Sequence, residues 1–337
     1  MQYRAPDIRC GHGIVQELAA IEGTVAVLTM EAPWRLVQKA LSWRPSAVHF
    51  VSDMRLETLE RLESELPACD TVVGLGGGSC CDTAKFVAWK RQCRMILVPT
   101  IVSVDAPLTD SVGARVENVV RYVGKICPRE LLIDYDLIQQ APPELNRAGA
   151  ADIASIHTAL YDWQAAHRQN GEMFDAGVAE EARGCLEELD ANAEAVFEVT
   201  PRGIDTLIEL YRREVAFCAR LGTSRPEEGA EHIVAYNLEN LTGRHFIHGD
   251  LVGLGIFTVA RLQQNRPEWA EELMRRLGVR FWCPDASLAE IRRCLESLKS
   301  FKDETGLFYS VLDEIPVTPA FVGNVIRDLE KIRSRCV

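Results

Sequence analysis

The first 140 or so residues alternate short apolar runs with segments of helical periodicity. Each apolar run is short enough for a buried strand and is followed by polar or glycine-rich turn positions. Five strands are predicted: Val25–Leu28, Ala47–Val51, Thr71–Leu75, Ile96–Pro99 and Leu131–Ile133. Helices are predicted between them at Trp34–Leu41, Leu56–Leu66 and Asp82–Arg91. Strand, helix and strand at this spacing indicate βαβ units and a mostly parallel sheet.

The pattern changes after Pro142-Pro143, where strand-like runs almost vanish. Long helical patterns follow at Gly149–Gln169, Ala176–Phe197, Gly203–Leu221, Pro226–Leu241 and Leu251–Gln264, with several more towards the C-terminus. The sequence therefore predicts an α/β domain over residues 1–143. It predicts an all-α domain over residues 144–337.

Composition narrows the class of protein. Of 337 residues, 47% are hydrophobic and 26% are charged, with a formal net charge of −12, which is typical of a globular protein and disfavours a nucleic-acid partner. Met1–Cys10 has no apolar signal-peptide core, and the best apolar run, Leu251–Ala260, is shorter than the roughly 20 residues of a membrane helix. We expect a cytoplasmic protein with reduced cysteines and no membrane partner.

A glycine-rich turn follows the third predicted strand, as Gly76-Gly77-Gly78-Ser79. Glycines let a backbone approach a phosphate closely, and amides at a helix N-terminus favour an anion. The alternative is a tight strand–helix turn that binds nothing. The turn lacks the GxGxxG spacing of the standard dinucleotide fingerprint, so the glycines alone leave both interpretations open.

The residues around this turn resemble a known superfamily. Gly76–Lys85 reads GGGSCCDTAK, which is similar to the GGGSxxDxAK pyrophosphate loop of iron-containing alcohol dehydrogenases and dehydroquinate synthases. Pro99–Pro107 reads PTIVSVDAP and is similar to the PTxxSxDAP run of glycerol dehydrogenases, whereas Thr158–Trp163 resembles the sn-glycerol-1-phosphate dehydrogenase branch. The resemblance extends over nearly the whole chain and implies a dehydroquinate synthase-like fold. It implies that the α/β domain, residues 1–143, binds the dinucleotide and that the all-α domain, residues 144–337, binds metal and substrate.

The resemblance implies a nicotinamide cofactor, NAD or NADP. Its implied contacts are Gly76, Gly77, Gly78, Ser79, Asp82, Thr100, Ser103, Thr109, Ser111 and Lys125. Glu31, an acidic residue after the first predicted strand, favours NAD; the alternative is a solvated loop residue.

The resemblance also implies one divalent metal, held by Asp152, His232 and His248. Spacing alone does not select these residues, because the chain has seven histidines. One carboxylate and two imidazoles leave coordination positions for water or substrate oxygens, as a catalytic metal requires. These ligands suit zinc, iron or nickel alike. Some metal alcohol dehydrogenases carry a further histidine where this chain has Ile156, so no fourth ligand is expected from that helix.

Two residues are predicted to act on the substrate. Asp105 lies in the loop after the fourth predicted strand, and the resemblance implies that it binds a substrate hydroxyl; the alternative is an ordinary Asp-Ala-Pro turn. His245, three residues before His248, has either a polar role near the substrate or none, as a loop histidine.

These residues together predict a metal-dependent polyol dehydrogenase. Its substrate would be glycerol or a glycerol-1-phosphate-like polyol, and the resemblance implies a homo-oligomer. One alternative is a dehydroquinate synthase-like cyclase, although Ala114-Arg115 stands where its DSSVGGKT run has a lysine. Another is a non-catalytic binding protein. His248–Leu251 reads HGDL where the family usually has HGEK, so the missing basic residue leaves open whether the substrate is phosphorylated.

Overall fold

The computed structural model describes residues 4–39, 41–116 and 119–336. The chain divides into two compact units. The first comprises the residues up to Asn146 together with Val199–Ala216, and the second comprises Arg147–Glu198 and the residues from Phe217 onward. Position 40 in the predicted helix Trp34–Leu41, and positions 1–3 and 337 at the ends of the predicted domains, lie outside the described residues.

The first unit is built on a six-stranded parallel sheet with the strand order β1-β8-β5-β4-β2-β3. Its strands are β1 (Asp7–Gly11), β2 (Val25–Thr29), β3 (Ala47–Phe50), β4 (Thr71–Gly76), β5 (Arg94–Pro99) and β8 (Glu130–Asp134). Two further strands, β6 (Ser111–Val116) and β7 (Val119–Lys125), form a separate antiparallel pair.

Helices cover the sheet because its central strands are apolar on both faces. Every residue of β2 and β4 is buried. One core cluster joins Val27, Leu75 and Val98, and another packs Leu59 and Phe86 against β6. The helices of this unit are a 3₁₀ helix (Ile14–Ala20), α1 (Glu31–Val37), α2 (Leu56–Glu65), α3 (Gly78–Arg91), α4 (Tyr135–Gln140) and most of α5 (Pro143–Ala148).

Among the described residues of the second unit, every regular element is a helix. Its helices are α6 (Ala150–Asn170), α7 (Ala176–Ala191), α8 (Ala193–Phe197), α10 (Ala230–Thr242), α11 (His248–Gln263), α12 (Pro267–Leu277), α13 (Leu288–Glu296), α14 (Leu298–Thr305), α15 (Val311–Glu314) and α16 (Pro319–Cys336). Helix α9 (Pro201–Leu221) belongs to the first unit as far as Ala216. The most buried helix is α11, in which all residues from Gly249 to Ala260 are buried.

The predicted fold class is confirmed, and all five predicted strands are present, with ends shifted by up to two residues. Strand β1 was missed because its sequence, Asp7–Gly11, is largely polar and lies at the sheet edge. The β6–β7 pair was missed as well. The predicted helix Ala176–Phe197 is two helices that break at Asn192, and the predicted start at Pro226 is wrong because Ser224–Glu228 forms turns.

Within the part of the chain that the structure describes, no helix is both long enough and apolar enough to cross a lipid bilayer.

Candidate active site

The glycine-rich turn lies at the carboxyl end of β4, in the middle of the sheet. Parallel pairing aligns Leu75 with Thr29 of β2 and Gly76 with Pro99 of β5. The residues that follow β2, β4 and β5 therefore share one edge of the sheet. In an open α/β sheet this is the edge where ligands bind.

Gly76 must be glycine for two reasons. Its φ of +150° is a conformation that L side chains rarely adopt. A Cβ placed there would also lie 2.5 Å from the sulfur of Cys80. The backbone consequently turns directly from β4 into α3, which begins at Gly78.

The neighbouring glycines keep this turn free of side chains. A Cβ on Gly77 would lie 2.9 Å from Cδ1 of Ile101, and a Cβ on Gly78 would lie 2.8 Å from a methyl of Val104. The amides of Cys80 and Cys81 donate to the Gly77 carbonyl at 3.0 and 3.2 Å, so the amides of Gly78 and Ser79 are the ones at the start of α3 that can attract a phosphate. This geometry has room for a pyrophosphate, and the contact at Gly76–Ser79 stays a prediction; the Ser79 side chain is exposed.

The loop after β5 is held to this turn by its backbone. The Thr100 amide donates to the carbonyl of Gly76 at 3.0 Å, and the Val102 amide donates to Oδ1 of Asn146 at 3.0 Å. Thr100 is buried, whereas Ser103, Asp105 and Thr109 are partly exposed. The Asp105 carbonyl accepts from the Leu108 amide at 2.7 Å, which closes a turn. Asp105 thus lies in a defined turn at the ligand-binding edge of the sheet.

Asp82 and Lys85 form an ion pair at 2.6 Å on α3, and the Lys85 side chain is completely buried. The Lys85 ammonium also donates to the carbonyl of Ser111 at 2.6 Å. Burial raises the pKa of Asp82, while Lys85 and the Gly113 amide counteract that effect. This pair joins α3 to β6. Lys125 is 65% exposed and lies 3.3 Å from Asp110.

In the second unit, the structure brings Asp152, His232 and His248 together. One ligand atom from each lies within 4.8 Å of the others. Asp152 and His232 are buried, and the His248 side chain is 38% exposed. The three side chains come from the first turns of three helices, α6, α10 and α11.

The geometry of these side chains fits a metal ion. Nε2 of His248 lies 3.3 Å from Oδ1 of Asp152. Two ligands about 2.0–2.1 Å from a tetrahedral metal are separated by roughly 3.3–3.4 Å. Oδ1 of Asp152 is buried and has no hydrogen-bond partner among the described residues. A bound cation would satisfy this oxygen.

His232 is oriented by its neighbour in sequence. Its Nδ1 lies 2.9 Å from Oε1 of Glu231, which leaves Nε2 for a metal. Burial by itself would lower the pKa of His232, but the hydrogen bond and charge of Glu231, with the charges of Glu228 and Glu227, raise it to about 10. The surroundings of this histidine are therefore strongly negative and suited to a cation.

Two glycines of α11 allow the three ligand helices to approach. A Cβ on Gly249 would lie 1.9 Å from the carbonyl oxygen of Ala148, just before α6. A Cβ on Gly255 would lie 2.2 Å from the carbonyl oxygen of Glu231 on α10. Any larger residue would push α11, and His248 with it, away from Asp152 or His232.

Other partners are found for His157, His245 and Arg225. Nε2 of His157 lies 2.7 Å from the Asn265 carbonyl, and its ring packs on Trp269. His245 is 57% exposed, with Nδ1 3.5 Å from Glu239. Arg225 is buried and pairs with Glu172 at 2.8 Å. Arg225 therefore has a structural role in this structure.

Sequence reasoning missed the residues that support the site. Lys85 stands in the GGGSxxDxAK motif, and its burial could have been suspected from a lysine on an otherwise apolar helix face. Glu231 is completely buried, and only its position beside His232 could have drawn attention to it. The contact of Lys85 with Ser111 and that of Glu231 with Thr158 cannot be predicted without the fold, because each joins residues that are distant in sequence.

Comparison with known proteins agrees with this geometry. Residues 15–142 match the family described as iron-containing alcohol dehydrogenase. A glycerol-1-phosphate dehydrogenase [NAD(P)+] of Hyperthermus butylicus is 29% identical over 320 residues, which cover 90% of this chain and 89% of that protein. This chain is therefore similar to iron-containing alcohol dehydrogenases over residues 15–142 and to a glycerol-1-phosphate dehydrogenase over most of its length.

Two further proteins share this similarity. A glycerol-1-phosphate dehydrogenase [NAD(P)+] of Staphylothermus marinus is 31% identical over 232 residues, which cover 67% of this chain and 65% of that protein. The fold is shared with a probable glycerol dehydrogenase from Sinorhizobium meliloti 1021. The two structures align with a TM-score of 0.68 at 20% identity and cover 99% of each chain.

Proposed function

We propose that this protein is a metal-dependent NAD(P)-linked dehydrogenase that interconverts a small polyol and its ketone, with glycerol 1-phosphate as its principal substrate. The observation that carries the proposal is the cluster of Asp152, His232 and His248 in a relative of glycerol-1-phosphate dehydrogenases. When bound, a divalent cation supplies a Lewis acid that lowers the pKa of a substrate hydroxyl, and oxidised nicotinamide supplies a hydride acceptor.

The residues of the second unit prepare the metal site before substrate arrives. Asp152 provides one negative charge, and His232 and His248 provide two neutral nitrogen ligands. Three protein ligands leave coordination positions for substrate oxygens. The buried position of Asp152 and His232 excludes water from one side of the cluster. Zinc, iron and nickel all suit these ligands, so the identity of the metal is to be measured.

The residues of the first unit hold the cofactor and orient the substrate. Gly76–Ser79 bind the pyrophosphate through the amides that begin α3, with Thr100, Ser103, Thr109, Ser111 and Lys125 as outer contacts. Asp105 accepts a hydrogen bond from a substrate hydroxyl, and Asp82 supports the loop through its ion pair with Lys85. His245 serves as a polar group near the substrate.

Glu31 and Arg35 bear on the choice between NAD and NADP. Glu31 follows β2 and pairs with Arg35 at 2.7 Å, and both side chains are largely exposed. A carboxylate there accepts hydrogen bonds from the ribose hydroxyls of NAD and repels the 2′-phosphate of NADP. Arg35 reduces that repulsion. We infer that both cofactors are used, with NAD preferred.

Glycerol is the second candidate substrate, and the charges around the metal cluster favour it. Glu227, Glu228 and Glu231 all raise the pKa of His232 through their negative charge. The nearby Arg225 is engaged with Glu172 and with two backbone carbonyls. A neutral polyol avoids repulsion from these carboxylates, whereas a phosphate needs cations from elsewhere in the chain.

Two broader properties are part of the proposal. We infer that the enzyme works in the cytoplasm, because the ten cysteines whose side chains the structure describes are free thiols. We also propose a homo-oligomer, on the family resemblance. The cyclase alternative is not favoured, since the matching relatives named above are dehydrogenases.

The test compares oxidation of glycerol 1-phosphate, glycerol and 1,2-propanediol with NAD and with NADP. We expect reduced cofactor to accumulate in equal amount to ketone, and kcat/KM to be highest for glycerol 1-phosphate. Asp105→Asn should lower kcat/KM about ten- to hundredfold, since it removes a charge-assisted hydrogen bond, and should leave metal content unchanged. Release of phosphate from a seven-carbon sugar acid phosphate without net cofactor reduction would instead identify a cyclase.

A further inference from the structure

Glu231 lies behind the metal cluster and is completely buried. Its Oε1 accepts hydrogen bonds from Nδ1 of His232 at 2.9 Å and from the amide of Gly229. Its Oε2 accepts a hydrogen bond from the hydroxyl of Thr158 at 2.6 Å. We propose that Glu231 is a positioning residue, which fixes the tautomer and ring orientation of His232 for metal binding, and that Thr158 holds Glu231 in place. This inference rests on the metal site of the proposed function.

The tautomer of His232 follows from the chemistry of imidazole. A neutral histidine has one N–H and one lone pair, and the hydrogen bond made by one nitrogen decides which nitrogen binds a metal. With Nδ1–H donating to Glu231, the lone pair of His232 is on Nε2. Without an acceptor at Nδ1, both tautomers and several ring rotations would be populated.

The contact between Glu231 and His232 depends on the conformation at the start of α10. Consecutive residues of a helix point in different directions and do not normally meet. Here the carboxylate of Glu231 bends back to the Gly229 amide that precedes the helix, and this places Oε1 beside His232. A negative charge in the first turn of a helix is also favourable.

Glu231 further connects the three helices that carry the ligands. Thr158 lies on α6, the helix of Asp152, and its hydroxyl reaches Oε2. Gly255 lies on α11, the helix of His248, and packs directly against the backbone of Glu231. A change in Glu231 therefore alters the arrangement of all three ligands.

The buried charge of Glu231 needs compensation. Among the described residues, Glu231 forms an ion pair with His232 and with neither a lysine nor an arginine. A second buried carboxylate, Asp162, accepts from the amides of Ala230 and Val311 and from the side chain of Gln263. A metal ion on His232 supplies the positive charge that this region lacks.

The experiment measures zinc affinity by competition with a chromophoric chelator, together with the visible absorption spectrum of the cobalt-substituted protein. Glu231→Gln keeps the size of the side chain but removes its charge, and Thr158→Val removes only the hydroxyl. We expect zinc affinity to fall ten- to hundredfold in Glu231→Gln and less, but measurably, in Thr158→Val. The cobalt spectrum should change in both variants.

Thr258→Val is the matched control, because Thr258 is buried on α11 and its hydroxyl donates only to the Leu254 carbonyl of the same helix. It should bind zinc as the wild type does. Unchanged zinc affinity and cobalt spectrum in Glu231→Gln would overturn the proposal. If that variant does not fold, unchanged values in Thr158→Val would overturn it equally. Wild-type protein that binds zinc but oxidises no polyol would refute the proposed function alone.

Discussion

Gly249→Ala tests how the packing of α11 sets the metal site. Gly249 directly follows His248, and its α-carbon faces the backbone of Ala148, four residues before Asp152. The substitution adds one methyl group and no charge. Any effect on metal binding must therefore come from a displacement of the ligands.

The size of that displacement can be derived from the contact distances. The new Cβ would lie 1.9 Å from the Ala148 oxygen and 2.5 Å from its carbonyl carbon, whereas ordinary contact begins at 3.4 Å. The helix start must therefore shift by about 1.5 Å, because backbone atoms on both sides cannot rotate away. Metal–ligand distances tolerate only about ±0.2 Å. We expect at least a hundredfold loss of zinc affinity, and a loss of about 1–3 kcal/mol in unfolding free energy from overpacking.

The assay is zinc affinity by chelator competition, with urea unfolding measured in parallel. Two controls separate displacement of His248 from general destabilisation. Gly253→Ala overpacks the same helix against a methyl of Val279 at 2.8 Å, but one turn further from the ligand. Gly323→Ala on α16 meets nothing closer than 3.7 Å and should be neutral or stabilising. Wild-type zinc affinity in a folded Gly249→Ala protein would refute the reasoning.

The glycine-rich turn, the buried ion pair of α3 and the buried carboxyl of Asp162 can each be tested by one substitution. Gly77→Val should raise KM for NAD at least tenfold, because a branched side chain would occupy the turn near Ile101; unchanged NADH affinity by fluorescence titration would show that the turn binds no pyrophosphate. Lys85→Met should cost about 3 kcal/mol of unfolding free energy in urea, since it leaves Asp82 unpaired; a cost below about 1 kcal/mol would contradict this. Burial, and then the charge of Glu231, raise the pKa of Asp162 from 3.8 to about 7, so the folded state binds this proton more tightly than the unfolded state. The resulting stabilisation is complete below the unfolded pKa and is lost as pH rises through about 7. Wild type in chelator should therefore lose stability relative to Asp162→Asn as the pH rises from about 4 to about 7, and parallel urea curves would contradict the assignment.

The sheet was predictable because its central strands carry a strong local signal. Val25–Thr29 and Thr71–Gly76 are buried on both faces, so each reads as a continuous apolar run. Strand β1 has no such signal, since Asp7–Gly11 lies at the sheet edge with mostly partial exposure. The β6–β7 pair is likewise weak in sequence because a register irregularity at Val112/Gly113 interrupts its alternation.

The candidate site was also predictable only in part. Asp152, His232 and His248 could be named from ordered motifs, although their spacing along the chain carries no metal signature. These three residues meet because of how the helices pack in the tertiary structure. Gly249 and Gly255 let α11 approach two other helices, and the pattern of a buried helix does not say which glycines face a backbone. The buried side chains of Glu231 and Lys85 support the site through hydrogen bonds to partners far away in sequence.

The central claim is that polyol oxidation depends on the metal held by these three residues. The most direct measurement is the absorbance of reduced nicotinamide formed from glycerol 1-phosphate, or from glycerol, by metal-stripped protein before and after one equivalent of zinc, iron or nickel. We predict no turnover without metal and recovery with at least one of the three. His232→Ala should not recover, whereas His167→Ala, which alters an exposed histidine on α6 bonded to the Glu172 carbonyl, should recover like wild type. Equal turnover with and without metal, or none with either substrate in fully loaded wild-type protein, would contradict the account.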